Sequence, residues 1–494
     1  MSGEILVVPK NAQGHLFPCM ELCKHLLSRY SVNITLLVDS DVTSSVPSSL
    51  LRSPLFRILD VKSGSVPLSP ESDPQGLPLD RQQHGVVMAR AIEAFLARYG
   101  PDSARPACAI IDHIMYRAQE VFAKFGIPTV TFITSGACWA AVQHAAWVVR
   151  PDDMRPGEVR ALPGLPEGMV LSYSDLKQRR HWMTGPPRGG GSGGRGGGPP
   201  EEMGGGKPKM MGGPPFPGGP APWVEEVKSA AAILVNTCDD LERPFMDYMA
   251  NLTGKPIWGV GPLLPDQYWQ SAESLLRERG IRPNRESNYT DDEIISWLDK
   301  QPPRSVILVS FGSEVSPSPE EYPELASALE ESARPFIWVI QRKSSPGKPD
   351  STYFPHGLDS RVGERGLVVH GWAPQLLILS HPSTGGFVSH CGWNSTVEAI
   401  VRGVPILAWP IRGDQYYNAK LVVNYLRVGT MVSEAYPEGM VKKGNVGKGI
   451  DKVIGDEDIR RRSLELRGKF EKGFPESSVA SMESFVRDLI LRKC

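Results

Sequence analysis

The stretch GGFVSHCGWNSTVEAIVRGVPILAWP, Gly385 to Pro410, decides the fold. GGFVSH ends a short buried strand, and VPILAWP reads as another. Between them STVEAIV carries apolar residues at helical spacing and ends near RGVP. Strand, turn, helix and strand in that order make a βαβ unit, whose strands are parallel. The turn HCGWNS then lies at the carboxyl edge of a parallel sheet, where ligands bind in open α/β folds. A helix N-terminus there offers free N–H groups and a partial positive charge, suited to an anion such as a phosphate. His390, Asn394 and Ser395 add donors around it. Ser395 and Glu398 also match a capping box, which accounts for two residues without any ligand. It leaves His390, Trp393 and Asn394, crowded beside them, without a reason, so a site is expected.

The same alternation runs outward in both directions. In the second half SVILVSF (Ser305 to Phe311), PFIWVI and LVVHGW read as strands, with a helical EEYPELASALEES after the first. In the first half the strands are EILVVP (Glu4 to Pro9), NITLLVD, ACAIID (Ala107 to Asp112) and PTVTFIT (Pro128 to Thr134). The helical PCMELCKHLLSRY (Pro18 to Tyr30) and RAQEVFAKFG lie among them. Two such series predict an α/β protein of two facing, doubly wound, Rossmann-like domains with a cleft between them. The expected boundaries are a first domain over 1–265, closed by IWGVGPLLP, and a charged linker over 266–290. A second domain over 291–475 follows, then a C-terminal helix over 476–494 that packs back on the first domain. From Gly185 to Pro222, 26 of 38 residues are Gly or Pro. That composition cannot bury a core, so a flexible insertion is expected there. Its GxGxxG and RGG-like patterns carry no argument, because no strand precedes them and no helix follows at the proper distance.

Composition narrows the partners. Lys and Arg number 54 against 55 Asp and Glu, which gives no electrostatic case for nucleic acid or an acidic membrane. The N-terminal MSGEILVVPKNAQGHLFP reads as a strand entering a loop rather than a signal peptide. ACWAAVQHAAWVV is too short and interrupted to span a bilayer. Seven cysteines without a CxxC suit a reduced compartment, so a cytoplasmic location is expected, and the chain is read as a monomer. Four Asn-x-Ser/Thr sequons, at Asn33, Asn251, Asn288 and Asn394, are read as chance matches.

Trp372 to Gln415 reads WAPQLLILSHPSTGGFVSHCGWNSTVEAIVRGVPILAWPIRGDQ. These 44 residues resemble the signature box of the plant secondary-product glycosyltransferases, the UDP-sugar-dependent family 1 enzymes. WLDKQPPRSVILVSFGS, VGPLLP and the N-terminal GHLFP extend the likeness to most of the chain. The resemblance implies the two-domain GT-B fold and a set of roles. Trp372 would stack on the uracil, with the backbone of Ala373 reading its edge. Gln375 and Glu398 would hold the ribose hydroxyls. Ser313, His390, Asn394 and Ser395 would hold the diphosphate, and Trp393, Asp414 and Gln415 would face the sugar. A terminal Gln at 415 goes with glucose in similar proteins, and Trp393 argues against glucuronate. Arg412 in WPIRGDQ is unusual and has no reading.

In the first half, His15 stands in NAQGHLFP, read as the loop after the first strand, and Asp112 ends ACAIID. Two strand ends of one parallel sheet can bring such residues together. Asp112 could equally cap the next helix. The resemblance selects the first reading, since both residues stand where the family's catalytic dyad lies. It implies that His15 takes a proton from an acceptor hydroxyl, that Asp112 orients the imidazole, and that Thr134 hydrogen-bonds the donor sugar. The reaction implied is transfer of glucose from UDP-glucose, with inversion, to a small lipophilic acceptor such as a flavonoid or other phenolic. No metal is expected, because no DxD stands near the box and no His/Cys cluster has metal spacing. Cys19 and Cys23 read as core residues, and Trp139 and Phe17 as candidates for the acceptor pocket. A non-catalytic sugar-nucleotide binder, or an interaction protein using the Gly-rich loop, is the alternative, against which both the base and the box stand intact. A nicotinamide dehydrogenase would need GxGxxG after the first strand, where this chain has PKNAQGH.

Overall fold

The computed structural model describes residues 3–61, 79–99, 105–149, 154–173, 175, 221–277, 286–341, 355–433 and 439–491. The Gly/Pro-rich insertion up to residue 220 and residues 278–285 of the expected linker lie outside them. Among the described residues, no helix is long and apolar enough to cross a membrane.

Two parallel sheets organise the chain. The first contains β1 (Glu4–Val8), β2 (Asn33–Asp39), β3 (Phe56–Val61), β4 (Cys108–Asp112), β5 (Thr129–Ile133), β8 (Ala232–Val235) and β9 (Ile257–Gly259), in the order β3-β2-β1-β4-β5-β8-β9. A small antiparallel hairpin, β6 (Val159–Ala161) and β7 (Val170–Ser172), stands apart. The second sheet contains β10 (Val306–Ser310), β11 (Phe336–Ile340), β12 (Gly366–His370), β13 (Thr384–Ser389), β14 (Ile406–Ala408) and β15 (Gly429–Met431), in the order β12-β11-β10-β13-β14-β15. The central strands are apolar and fully buried, as expected where helices cover both faces of a parallel sheet.

Strand order matters more than strand count. In the first sheet the winding reverses between β1 and β4, where Val8 pairs with Ile111. In the second it reverses between β10 and β13, where Ser310 pairs with Ser389. Loops leaving neighbouring strands at such a point diverge to opposite faces and open a crevice between them. His15 follows β1, and Asp112 is the last residue of β4. Ser313 and His390 follow β10 and β13.

Two element boundaries differ from the sequence reading. The first helix starts at Gln13 rather than Pro18, so His15 sits in its first turn and not in a loop ahead of it. The N–H groups of His15 and Leu16 both reach the Ala12 carbonyl, and Pro18 is accommodated inside the helix, forgoing one intrahelical bond. The helix after β13 starts at Trp393, with Gly392 at its N-cap and no side chain capping it. Ser395 is therefore inside the helix, and the capping-box reading does not hold.

A 3₁₀ turn, Asp266–Trp269, buries Tyr268 completely. The Tyr268 hydroxyl donates to the Glu398 carbonyl at 2.9 Å, and the Arg402 guanidinium lies 4.1 Å above its ring. One apolar core runs without a break from Ile133 and Phe245 in the first half to Val397 and Ile400 in the second. The helix Glu476–Phe485 returns to the first sheet, where Met482, Phe485, Val486 and Ile490 pack into a core shared with Ile5, Val7 and Leu234.

Candidate active site

At the first crevice, His15 Nδ1 lies 2.8 Å from Asp112 Oδ2. The two residues are 97 apart in sequence and meet because β1 and β4 are neighbours. Asp112 Oδ1 also accepts the Ile114 N–H at 3.0 Å. The carboxylate thus caps the 3₁₀ turn His113–Met115 and holds the imidazole, so both readings of Asp112 apply. Its side chain is fully buried while His15 keeps 19% of its surface exposed. Burial alone would raise the carboxyl, but the His15 charge and hydrogen bond, His113 and the Ile114 N–H together hold it below the usual carboxylate range. Nδ1 thereby carries the ring proton towards Asp112, and Nε2 keeps the lone pair. The Thr134 hydroxyl lies 3.0 Å from His15 Nδ1. His113 Nδ1 approaches Asp112 Oδ1 to 3.6 Å, and burial pushes this imidazole down to about 4, so it is neutral at neutral pH. His15, Asp112 and His113 present ligand atoms within 4.8 Å of one another, the one such trio among the described residues.

At the second crevice, the open end of the Trp393–Arg402 helix supplies N–H groups without intrahelical acceptors. His390 stands beside it, buried, and that burial pushes its imidazole down to about 4, so it is neutral at neutral pH. Its Nε2 edge faces two glycines. A Cβ on Gly312, a residue at φ +71°, would come within 2.7 Å of Nε2, and one on Gly392 would come closer still. The groove between them is kept narrow and free of side chains. Ser313 is exposed on one side and Asn394 is half-buried in the helix's first turn. Trp372 follows β12 with its backbone N–H on the Glu286 carbonyl, and the carbonyl of buried Ala373 accepts the Gln375 N–H. Gln375 Nε2 reaches both Ser395 Oγ at 3.0 Å and Glu398 Oε2 at 2.6 Å, so the expected ribose-binding pair is already hydrogen-bonded together. Gln415 Oε1 accepts the N–H groups of Ile411 and Arg412, both at 2.9 Å. Arg412 acquires a partner, Glu314, at 2.6 Å across the loops after β10 and β14.

One loop, Thr134 to Cys138, joins the two crevices. Thr134 touches the imidazole, and Ser135 Oγ donates to Asp414 Oδ2 at 2.6 Å, beside a bond from Asn418 Nδ2. Gly136 leaves room for the Trp393 ring, which a Cβ there would meet at 2.6 Å. The Trp393 indole N–H donates to the Asn236 carbonyl at 2.6 Å. Beneath the loop, fully buried Glu242 accepts the N–H groups of Ala137 and Cys138, both at 2.8 Å. Burial pushes the Glu242 carboxyl up to about 7 against these bonds. Sequence reading did not identify Ser135, Asn236, Glu242, His113 or the glycines around His390. DDLE (Asp239–Glu242) has the look of an exposed acidic first turn, and nothing in its pattern marks the fourth residue as buried.

Two Rossmann-like sheets, each opening at its winding reversal onto one cleft, form the GT-B fold. A UGT transferase from Siraitia grosvenorii and Os79 from O. sativa, both in complex with UDP, superpose with TM-scores of 0.71 and 0.69. Each is 26% identical, and the match covers 98% of this chain and 99% and 100% of theirs. The family profile described as UDP-glucoronosyl and UDP-glucosyl transferase matches residues 286–466. UDP-glycosyltransferase 76E1 of Arabidopsis thaliana is 30% identical over 503 residues, 98% of this chain and 97% of its own length. Anthocyanin 3'-O-beta-glucosyltransferase of Gentiana triflora is 28% identical over 496 residues, 95% and 94% of the two lengths. The chain belongs to the plant family 1 UDP-glycosyltransferases, enzymes that draw on a UDP-sugar donor.

Proposed function

We propose that this enzyme transfers glucose from UDP-glucose to a hydroxyl of a small phenolic acceptor, with inversion at the anomeric carbon. The observation that carries the proposal is the 2.8 Å pair of His15 with the buried Asp112, at the mouth of the cleft's first half. His15 Nε2 takes the acceptor's hydroxyl proton as its oxygen attacks the sugar carbon. The bond from that carbon to the diphosphate oxygen breaks, and UDP leaves with the electron pair. Asp112 steadies the imidazolium that forms. The leaving diphosphate is met by the N–H groups of the Trp393–Arg402 helix and by His390, Asn394, Ser395 and Ser313. Trp372, Ala373, Gln375 and Glu398 hold the uridine, and Trp393, Asp414, Gln415 and Thr134 surround the sugar. Gln415 supports glucose as that sugar. The domains divide as the sequence suggests, near residues 265 and 291, with the C-terminal helix crossing back. A metal is not required, since neutral donors and a helix end meet the phosphate charge. Chelation with excess EDTA is accordingly expected to leave turnover within twofold, measured on dialysed enzyme. A cytoplasmic monomer suits the composition.

The test is turnover of UDP-glucose with a panel of phenols, wild type beside His15→Ala, read by mass spectrometry. A new hexoside that falls about 10²–10⁴-fold in the variant supports the proposal. Undiminished product from the variant removes His15 from its role, and transfer of a different sugar in preference to glucose corrects the donor.

A further inference from the structure

Both hydroxyls of the loop Thr134–Cys138 are engaged on the cleft: Thr134 Oγ1 with the His15 imidazole, Ser135 Oγ with Asp414. A Ser or Thr in such a place ordinarily caps the helix that follows. Here the helix Cys138–Val148 begins after Ala137, which has no side chain to cap it. The cap comes from Glu242, 105 and 104 residues further on, whose two carboxyl oxygens accept the Ala137 and Cys138 N–H groups. A distant side chain thus releases the local hydroxyls to the cleft.

The other end of the loop is held as well. Ile133 pairs with Val235, so Thr134 and Asn236 leave neighbouring strands side by side. Asn236 Nδ2 donates to the Thr134 carbonyl at 3.0 Å, and Oδ1 accepts the Leu263 N–H at 2.7 Å. With a carbonyl at one end of the amide and an N–H at the other, only one orientation of the side chain fits. The Asn236 backbone carbonyl also accepts the Trp393 indole N–H. Between the two ends lies Gly136, where a Cβ would meet both Glu242 and the Trp393 ring. Asn236 and Glu242 are themselves completely buried.

We propose that Asn236 and Glu242 are positioning residues for the donor sugar. Neither touches the substrate. Together they clamp the loop at both ends and so fix Thr134, Ser135 and the Trp393 ring against the sugar hydroxyls. The choice of hexose then depends on two side chains buried behind the site. This role rests on the proposed function, which puts the sugar at Thr134, Trp393 and Asp414. The UDP portion meets the second crevice and is independent of the clamp.

The test uses two near-isosteric variants. Glu242→Gln turns an amide NH₂ against one of the two N–H groups, and Asn236→Asp sets an oxygen against the Thr134 carbonyl while keeping the acceptor for Leu263. Met482→Ala, buried in the core under the first sheet, is the control for lost stability alone. Affinities for UDP and UDP-glucose are measured by calorimetry without acceptor. The ratio of kcat/KM for UDP-glucose to that for UDP-galactose, its C4 epimer, is measured with one phenol. Neither a Kd nor that ratio changes when only the folded fraction falls. In both clamp variants the Kd for UDP should stay within about twofold, while that for UDP-glucose rises about 10-fold and the glucose preference falls about 10-fold or more, since misplacement by about 1 Å costs up to about 10²-fold. Met482→Ala should move none of these. A wild-type preference kept in both variants, equal loss of affinity for UDP and UDP-glucose, loss of UDP binding altogether, or the same shifts in Met482→Ala would make the pair structural only and overturn the proposal. A selective loss of UDP-glucose affinity in the variants, while wild type glycosylates no phenol, upholds the clamp and overturns the reaction instead.

Discussion

Asp112 divides its two oxygens between the turn that follows it and the imidazole that faces it. That division makes Asp112→Asn informative. The amide oxygen can still accept the Ile114 N–H, but an NH₂ group then opposes His15 Nδ1 and favours the wrong tautomer. The expected outcome is a loss of about 10²–10⁴-fold in kcat with a modest change in Tm, measured side by side. The pH dependence follows from the depressed carboxyl. Its native value lies below the unfolded one, so the pair contributes stability above about pH 4 that is lost as pH falls through the native value. Wild type should lose more stability than Asp112→Asn in acid denaturation below that pH, and parallel curves would contradict the assignment.

At the scale of elements, helix ends carry the site. The N-terminus of the Trp393–Arg402 helix is open to an anion, whereas that of the Cys138–Val148 helix is closed by Glu242 from below. For Glu242 the sign is reversed. Its native value, about 7, lies above the unfolded one, so the folded state keeps a proton that the unfolded chain has released. Stability should therefore fall as pH rises from about 4.5 to about 7, and Glu242→Gln should flatten that slope. Urea unfolding at several pH values measures both. At the open helix, Gly392→Ala should raise the KM for UDP-glucose by about 10-fold or more, with acceptor KM little changed, because its Cβ intrudes on the His390 edge. An unchanged donor KM would show that the groove is not where the diphosphate lies. These elements also explain what the sequence displays and what it hides. The second crevice is legible because one βαβ unit carries it in consecutive residues. The first needs residues 97 apart to become neighbours, which only the strand order or a family likeness can tell. Glu242 is hidden because its anchor role depends on a helix a hundred residues earlier.

At the scale of the molecule, the two halves are tied by polar contacts as well as by a shared core. Ser135 with Asp414, Trp393 with Asn236 and Lys420 with Asp175 all cross between them. The strongest tie is topological, since the helix Glu476–Phe485 leaves the second sheet and completes the core of the first. Removing residues 476–491 exposes the partners of Met482, Phe485, Val486 and Ile490, all buried. At about 1.5–3 kcal/mol for each side chain, the loss is comparable to the whole stability of a domain. The truncated chain is expected to be insoluble or protease-sensitive in its first half. A truncation product melting within a few degrees of the full chain would contradict this.

That returning helix also sets an order of events during synthesis. β1 leaves the ribosome well before its covering residues at 482–490, which are translated more than 470 positions later. At about 5–20 residues per second the interval is roughly half a minute to a minute and a half. For all that time the nascent first half presents an unclosed apolar face, and a chaperone holding that face would have the second half, finished before the helix emerges, already folded beside it.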